Sequence, residues 1–357
     1  MTIDYFFGHK ELLEEFISRH KEFATHYNFL TKLSHSHLNE KVESAKRKSV
    51  LLSTIMLTGR CEADCLICCT DRRYKGDEEL SLTEIASIFR QAKELGCKTI
   101  YIPGEGDPLL DNNFWHILEL SKEMGFDLIL FTNGLILSND GLSQKQWNLT
   151  SEQIVSKLVD YPVYIYHKFW STDQNFIAEI MRISPSLYNY QPFSINDKKT
   201  IMIPRGLSLL LKYFPIERVG IETVVMNKNF EENKDLIIPF IEKTKVKSYI
   251  EPLIHAGRCL GFSEYDIDPA RYAELSPWIS RLSCKRLGYK IFVDNAGYLS
   301  FGMQIPLEVY LPERKGEFSI RDGNGKVIDL FNLVHSNNLL VKGRYAINGC
   351  LCERISL

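Results

Sequence analysis

The sequence predicts an α/β protein built on a parallel sheet. Short β-rich segments alternate with amphipathic helical segments about six times through the middle of the chain. The helical segments 81–96 and 112–125 each end on a glycine, as helices commonly do. The predicted strands lie at 51–57, 98–104, 126–134, 163–169, 218–226 and 247–254. Periodicity leaves open whether this sheet curls into a barrel, but in either form functional groups belong at the carboxyl ends of the strands.

The flanking segments follow other patterns. Residues 1–48 repeat apolar residues at helical spacing, and we expect 135–150 and 184–204 to be polar, irregular insertions. After residue 258 the alternation stops, and a helix (268–282), a hairpin (288–303) with its turn at 295–297 and a further helix (326–336) are predicted. We therefore expect a helical N-terminal extension (1–49), a strand–helix domain (50–258) and a small α+β C-terminal domain (259–357).

Composition and charge exclude several classes of protein. The chain has 357 residues and a formal net charge of −2, which provides no overall basic footprint for nucleic acid. It contains no apolar run of the roughly 18–20 residues that a membrane helix needs. The N-terminus lacks the basic start and apolar core of a signal peptide. We therefore expect a cytoplasmic protein with reduced cysteines and neither a membrane nor a nucleic-acid partner.

The nine cysteines indicate a metal site. Four of them (Cys61, Cys65, Cys68 and Cys69) fall within "GRCEADCLICCT", directly after the first predicted strand. Zinc sites usually offer two closely spaced pairs of ligands, whereas the first three cysteines form one compact triplet. A triplet favours a 4Fe–4S cluster with one iron left free. We interpret Cys69 as a neighbour packed against the loop and Cys97 as a small buried residue.

This loop and three further motifs resemble the radical S-adenosylmethionine (SAM) superfamily. That family carries the same C-x-x-x-C-x-x-C spacing after its first strand. "GEGDP" (104–108), "TNG" (132–134) and "KFWSTD" (168–173) follow the second, third and fourth predicted strands, where the family has comparable motifs. The resemblance implies a partial (β/α)6 barrel, a 4Fe–4S cluster on Cys61, Cys65 and Cys68, and SAM bound to the free iron.

The same resemblance implies which residues contact SAM. Glu105 and Asp107 would accept hydrogen bonds from its ammonium group, and Lys168 and Arg258 would bind its carboxylate. Ser171, Asp173 and Glu222 would hold or flank the ribose. Glu251 would also face the pocket. The full set of expected SAM contacts is Gly104, Glu105, Gly106, Asp107, Asn133, Lys168, Ser171, Asp173, Glu222 and Arg258.

The C-terminal domain resembles the SPASM/twitch extension, which holds an auxiliary iron–sulfur cluster. Cys284, Gly297 and the pair Cys350 and Cys352 match its pattern, but 302–303 is Gly-Met where a second cysteine is expected. Three outcomes stay open. The tail could hold a three-cysteine cluster, could be a degenerate domain without metal, or could borrow Cys259.

The resemblance implies an enzyme that cleaves SAM to a 5′-deoxyadenosyl radical, with electrons from a flavodoxin- or ferredoxin-like partner. The expected substrate is a small polar molecule (a sugar, aminocyclitol or nucleoside), which is epimerised, dehydrated, deoxygenated or oxidised. Alternatives are a peptide-modifying enzyme and a non-catalytic iron–sulfur or zinc protein. Cys259 is the candidate catalytic residue, as a hydrogen-atom donor, unless it is simply buried in a turn.

Overall fold

A computed structural model describes residues 52–70, 79–95, 97–253, 257–259, 263–275, 290–298 and 319–329. Within these ranges the strands are β1 (Leu52–Ile55), β2 (Thr99–Ile102), β3 (Asp127–Thr132), β4 (Val163–Lys168), β5 (Gln191–Asn196), β6 (Lys199–Ile203), β7 (Val219–Val225), β8 (Lys247–Pro252) and β9 (Lys290–Val293). The main sheet has the order β8-β7-β4-β3-β2-β1-β9, and all its neighbours pair in parallel. All six predicted strands are present, so the predicted parallel α/β fold is confirmed.

The sheet is curled into a partial barrel. The ring centroids of Phe131 on β3 and Tyr249 on β8 are 5.6 Å apart, although β4 and β7 lie between these strands in the sheet. Neighbouring strands are spaced about 4.8 Å apart, so side chains three strands away meet only across a concave face. This contact decides the question that periodicity left open.

Helices cover the outer face of the sheet. They are α1 (Leu82–Glu94), α2 (Phe114–Met124), α3 (Leu135–Ser138), α4 (Asp140–Trp147), α5 (Ser151–Leu158), α6 (Gln174–Met181), α7 (Arg205–Tyr213), α8 (Phe230–Glu232), α9 (Ile238–Thr244) and α10 (Pro269–Glu274), with a π turn (Asn233–Ile237) joining α8 to α9. Helix α1 begins at a capping box between Ser81 and Glu84. Helix α2 ends at Gly125, whose φ of 71° suits glycine.

The two faces of the sheet differ in burial. Along β4 the residues alternate, with Val163, Ile165 and His167 buried and Tyr164, Tyr166 and Lys168 half-buried. The buried set faces the helices, where aromatic packing such as that of Phe89 on Phe126 (centroids 5.5 Å apart) fills the core. The half-buried set lines the inside of the barrel. Along β4, the side chains that reach the inside of the barrel are therefore Tyr164, Tyr166 and Lys168.

Two sequence-based expectations were wrong. Residues 135–150 form α3 and α4, and 191–203 form the antiparallel β5–β6 hairpin. Serines of the first segment are buried and bonded, since Ser138 Oγ accepts from the N–H of Gly206 and Ser143 Oγ donates to the carbonyl oxygen of Ile136. In the hairpin, Ile195, Ile201 and Ile203 join the core.

The predicted C-terminal hairpin takes an unexpected position. Its first half is β9, which extends the barrel sheet as a parallel neighbour of β1. The predicted turn is present, because the N–H of Asp294 donates to the carbonyl oxygen of Tyr298 over 3.0 Å. Arg321 anchors this turn to the barrel by donating to the carbonyl oxygen of Ala296 (2.7 Å) while pairing with Glu84 on α1.

Several predicted features lie outside the described residues. These are the N-terminal helical extension, the second half of the hairpin, most of the final helix and the three C-terminal cysteines, Cys284, Cys350 and Cys352. The predicted domain boundaries therefore stay predictions. In the part of the chain that is described, no helix has the length and apolar character to cross a membrane.

Candidate active site

A pocket opens at the carboxyl ends of the barrel strands. It encloses about 940 Å³ of empty space, including open solvent at its mouth. Its wall includes the cysteine loop (Cys61, Cys65, Cys68 and Cys69), the "GEGDP" turn (Gly104, Glu105, Gly106 and Asp107), and the side chains of Asn133, Lys168, Glu222 and Glu251. The structure therefore brings together the three cluster cysteines and seven of the ten expected SAM contacts.

The start of the cysteine loop is packed against the "GEGDP" turn. The N–H of Gly106 donates to the carbonyl oxygen of Thr58 (2.8 Å), and the N–H of Asp107 donates to that of Arg60 (2.7 Å). A Cβ atom at Gly106 would lie 2.0 Å from the carbonyl oxygen of Arg60. Only glycine permits this approach, so the turn after β2 fixes where the loop after β1 begins.

The far side of the loop is held by α6 and by Arg258. The N–H groups of Asp64 and Leu66 donate to carbonyl oxygens at the end of α6, over 3.0 and 2.7 Å. Arg258 donates from Nη1 to the carbonyl oxygen of Asp64 (2.8 Å) and also forms an ion pair with its carboxylate (2.7 Å). Arg258 does not contribute to the pocket wall. In the structure its guanidinium bonds the loop, and the expectation that it binds the SAM carboxylate stays a prediction.

Asp107 is also occupied within the protein. Its Oδ1 accepts a hydrogen bond from the N–H of Leu109 (3.0 Å), and its Oδ2 accepts from Thr132 Oγ1 and the N–H of Asn133 (both 2.8 Å). Burial raises the pKa of this carboxyl, although the three donors oppose the shift. Asp107 thus joins the second and third strand-end motifs, and its expected hydrogen bond to the SAM ammonium stays a prediction.

Lys168 and Glu222 form an ion pair inside the pocket. They are register partners on β4 and β7, and Lys168 Nζ lies 4.0 Å from Glu222 Oε2. Glu222 is 8% exposed, and its Oε2 is buried without a hydrogen-bond donor. Burial raises the pKa of Glu222, while the charge of Lys168 opposes that shift. Such a carboxylate can accept a hydrogen bond from a ligand in the pocket.

Ser171 and Asp173 do not reach the pocket wall. The hydroxyl of Ser171 donates to Glu232, and its oxygen accepts from the N–H of Asp173 (2.9 Å). Asp173 is exposed and caps α6 by accepting from the N–H of Asn175 (2.8 Å). The structure does not bring these two residues to the pocket wall, and the expectation that they hold the SAM ribose stays a prediction. They build the turn that leads into α6, in which Glu232 accepts hydrogen bonds from the hydroxyl of Ser171 and from the N–H and hydroxyl of Thr172. No sequence motif had singled out Glu232.

The positions of two cysteines differ from expectation. Cys259 is 0% exposed in an apolar cluster that includes Trp170, Met226 and Tyr265, and it is absent from the pocket wall. Its role as a hydrogen-atom donor stays a prediction, and its burial agrees with the alternative of a small residue buried in a turn. Cys69, interpreted from the sequence as a bystander, is half-buried and lines the pocket.

An aromatic layer forms the inner part of the barrel and was not anticipated. The rings of Phe131 and Tyr166 are stacked with centroids 4.8 Å apart, and Tyr101 lies 5.0 Å from Phe131 on its other side. Tyr101, Phe131 and Tyr249 all line the pocket. The signal was present as tyrosines at alternate positions of β4, but only the curl of the sheet shows that rings from four strands meet.

The donor set fits an iron–sulfur cluster. Thiolates are soft ligands typical of such clusters, and three thiols with the C-x-x-x-C-x-x-C spacing line one pocket. In the described ranges no group of three or more His, Cys, Asp or Glu side chains is arranged to hold a single metal ion. A cube spreads its thiolates over separate irons and needs no convergence on one point. The fold and this site define an iron–sulfur protein of the partial-barrel class.

Comparison with known families gives this class its name. The family model for the Radical SAM superfamily matches residues 55–189, so this part of the chain, from β1 to beyond α6, is a radical SAM domain. The recognition made from the cysteine loop and strand-end motifs is confirmed at the level of the superfamily. Membership of the SPASM/twitch subset stays a prediction.

Two groups of relatives are informative. A probable GTP 3′,8-cyclase of Methanothermobacter marburgensis is 35% identical over 100 residues, 28% of this chain and 32% of the relative. One of Methanopyrus kandleri is 30% identical over 111 residues, 31% and 35% of the two chains. The chain thus spans about a third of the length of the curated relatives it matches.

Solved structures are also similar to this chain. The crystal structure of Streptococcus suis SuiB bound to precursor peptide SuiA has a TM-score of 0.55 at 13% identity, over 85% of this chain and 69% of that one. SuiB bound to S-adenosylmethionine gives 0.54 at 15%, over 82% and 67%. These two structures show the fold alone.

Proposed function

We propose that this protein is a radical SAM enzyme acting on a small polar substrate. The observation that carries the proposal is the convergence of Cys61, Cys65 and Cys68 on the wall of one pocket at the carboxyl ends of the barrel strands. A bound 4Fe–4S cluster and SAM would supply the chemistry, in which one electron cleaves a sulfur–carbon bond and yields a 5′-deoxyadenosyl radical that abstracts hydrogen from the substrate.

The chain's own residues bind and orient these groups. The three thiolates would hold the cluster, while the turn at Gly106 and the guanidinium of Arg258 fix the loop that carries them. Glu105 and Glu222 offer acceptors to the ammonium and hydroxyl groups of SAM, and Lys168 offers a cation to its carboxylate. Asp107 stabilises this arrangement because its carboxylate accepts hydrogen bonds from Thr132 and Asn133, which joins the second strand-end motif to the third.

The inner part of the pocket supports a small substrate with a ring. The rings of Tyr101, Phe131 and Tyr249 offer a surface for stacking or for CH contacts, and Glu251 adds an acceptor at the rim. A nucleoside fits this wall, and the relatives named as probable GTP 3′,8-cyclases act, by that name, on a purine nucleotide. Sugars and aminocyclitols remain within the proposal, as do epimerisation, dehydration, deoxygenation and oxidation of the substrate.

The remaining parts of the proposal rest on the sequence. We place the enzyme in the cytoplasm, where its thiols stay reduced, and we assign it a flavodoxin- or ferredoxin-like electron donor. An auxiliary cluster on Cys284, Cys350 and Cys352 stays a prediction.

Spectroscopy and product analysis of the anaerobically purified protein test the proposal. We expect a broad absorption shoulder at about 400 nm from iron–thiolate bonding. We also expect 5′-deoxyadenosine to form when SAM and a strong reductant are added. Cys61→Ala, Cys65→Ala and Cys68→Ala should each abolish 5′-deoxyadenosine formation, whereas Cys69→Ala is the matched control that keeps it. A colourless wild type that holds stoichiometric zinc would overturn the proposal.

Isotope transfer tests the substrate class. Deuterated nucleosides, sugars and aminocyclitols are incubated in turn with the reduced enzyme and SAM, and deuterium is sought in 5′-deoxyadenosine. Transfer from one class identifies the position of hydrogen abstraction. Transfer only from a peptide would replace the small substrate with a peptide-modifying activity.

A further inference from the structure

The side-chain amide of Asn133 is fixed in a single orientation. Its Oδ1 accepts a hydrogen bond from the N–H of Leu135 (2.8 Å), while its backbone N–H and carbonyl oxygen are bonded to Asp107 (2.8 Å) and Tyr188 (2.7 Å). Asn133 is 4% exposed. Because an N–H can donate only to an oxygen of the amide, the contact with Leu135 decides which end is Oδ1 and which is Nδ2.

The amide nitrogen that remains is directed at the cysteine loop. Asn133 Nδ2 lies 3.4 Å from Cys61 Sγ and 3.4 Å from Glu62 Oε2. The two hydrogens of the amide are thus shared between a cluster cysteine and the carboxylate next to it in sequence. The other polar groups of Asn133 are bonded to Asp107, Tyr188 and Leu135.

We propose that Asn133 is a positioning residue that raises the reduction potential of the cluster through an N–H···S hydrogen bond to Cys61, an inference that rests on the proposed function. Reduction adds an electron to the cluster, and the added charge is partly carried by the thiolate sulfurs. A donor at one of these sulfurs stabilises the reduced state more than the oxidised state, so the midpoint potential rises. The sequence placed Asn133 only as a contact to SAM.

Glu62 shares this donor with the cysteine. Its Oε2 lies 3.4 Å from Asn133 Nδ2, the same distance as Cys61 Sγ. Because Glu62 takes one hydrogen of the amide, the other is directed at the sulfur. Removing the amide therefore deletes the donor to Cys61.

The test is an EPR redox titration of the cluster in the full-length, cluster-loaded protein without SAM. Asn133→Ser keeps a hydroxyl that can accept from the N–H of Leu135 but removes Nδ2, and Asn133→Asp keeps the acceptor and adds a charge. Both should have more negative midpoint potentials than the wild type. For Asn133→Asp we expect at least a tenfold shift in the reduction equilibrium, about 59 mV for one electron.

Thr132→Val is the matched control. It removes the hydroxyl that donates to Asp107 and accepts from the N–H of Gly134, which loosens the same turn without removing the amide beside Cys61. Its potential should match that of the wild type while its melting temperature falls. An unchanged potential in Asn133→Ser, or in Asn133→Thr should the serine variant fail to fold, overturns the inference. A wild type without any cluster signal overturns the proposed function as well, so the two failures are distinguishable.

Discussion

The backbone N–H of Arg258 donates a hydrogen bond to the carbonyl oxygen of Cys68 over 3.0 Å. The guanidinium of the same residue donates to the carbonyl oxygens of Asp64 and Cys65, over 2.8 and 3.3 Å. One residue from beyond the last predicted barrel strand therefore bonds the cysteine loop at both ends of its second half. The loop that would carry the cluster is held by the chain segment that leaves the barrel.

Arg258→Ala should weaken retention of the cluster rather than binding of SAM. Hydrogen bonds from a charged donor each contribute about 1.5–3 kcal/mol, and those of Arg258 are made by a side chain only 20% exposed. Iron–thiolate bonds absorb at about 400 nm. The measurement is the rate at which this absorption decreases in the presence of an iron chelator.

Arg182→Ala supplies the control for Arg258. Arg182 pairs with the same Asp64 over 3.4 Å, but its side chain is 53% exposed. An exposed ion pair contributes only about 0–1 kcal/mol, so this variant should lose its cluster at the wild-type rate. Equal rates for both variants, or weaker SAM binding by cluster-loaded Arg258→Ala, would contradict the role assigned to Arg258.

Gly106→Ala should prevent the cysteine loop from reaching its position. The added Cβ would lie 2.0 Å from the carbonyl oxygen and 2.6 Å from the carbonyl carbon of Arg60, and both are backbone atoms that cannot swing away. We expect several-fold less iron per protein after reconstitution, measured by colorimetric iron assay, because the bonds from 106 and 107 to the loop cannot form together. Gly323→Ala adds the same methyl group where nothing lies within 4 Å, and it should load iron normally.

Asp173→Ala should lower stability and leave SAM affinity unchanged. Asp173 caps α6, and loss of a cap of this kind costs about 1 kcal/mol. The melting temperature and the dissociation constant of SAM are measured on the cluster-loaded protein. Glu222→Gln is the comparison, since its carboxylate lines the pocket and its replacement should weaken SAM binding. Weaker SAM binding by Asp173→Ala at an unchanged melting temperature would restore the original assignment.

Cys259→Ala should form the normal product with only a loss of stability. The thiol is fully buried among apolar side chains, so its removal leaves a small cavity that costs on the order of 1 kcal/mol. Product stereochemistry and deuterium content are compared with those of the wild type. Formation of 5′-deoxyadenosine without the normal product would show that the donor hypothesis for Cys259 was correct after all.

The sequence predicted the barrel strands because each is a continuous β-rich segment followed by a chemically distinctive turn. It did not predict α3, α4 or the β5–β6 hairpin, because polar residues such as Ser138 and Ser143 read as loop. Their burial depends on acceptors elsewhere in the fold, as when Ser138 Oγ accepts from the N–H of Gly206, 68 residues away. The parallel pairing of β9 with β1 is similarly invisible, since no local pattern specifies the partner of an edge strand.

The sequence predicted which motifs surround the site but not which of their residues line the pocket. Spacing singled out Cys61, Cys65 and Cys68, which the structure places on one pocket wall, because ligand spacing is local to one loop. It could not separate a pocket residue from a support, because Asp107 and Asp173 are both acidic residues at strand ends. The difference lies in their hydrogen-bond partners. Asp107, after β2, accepts from Thr132 at the end of β3, whereas Asp173 accepts from the first turn of its own helix. Only three-dimensional proximity decides this.

His167 is a buried titratable group away from the pocket. Its Nδ1–H donates to the carbonyl oxygen of Lys168 (2.8 Å), and its Nε2 is buried without a partner. A Cβ at Gly134 would lie 1.9 Å from that nitrogen, so the "TNG" turn is packed directly on the ring. Burial lowers the pKa of His167 from 6.5 to about 4, although the hydrogen bond to Lys168 opposes the shift.

This histidine should make the fold less stable in mild acid. The pKa of His167 is 6.5 in the unfolded chain and about 4 in the folded protein. Below about pH 6.5 the unfolded chain therefore binds a proton that the folded protein does not, and the free energy of unfolding falls as the pH drops from 6.5 towards 4. Between about pH 7.5 and 5.5 the loss amounts to on the order of 1 kcal/mol. His167→Asn keeps a donor for the carbonyl oxygen of Lys168 and removes the titration. It should be less stable at the higher pH because of the cavity it leaves, and its deficit in urea-unfolding free energy should narrow by this amount at the lower pH. A deficit that is the same at both pH values would show that His167 is not held neutral by the fold.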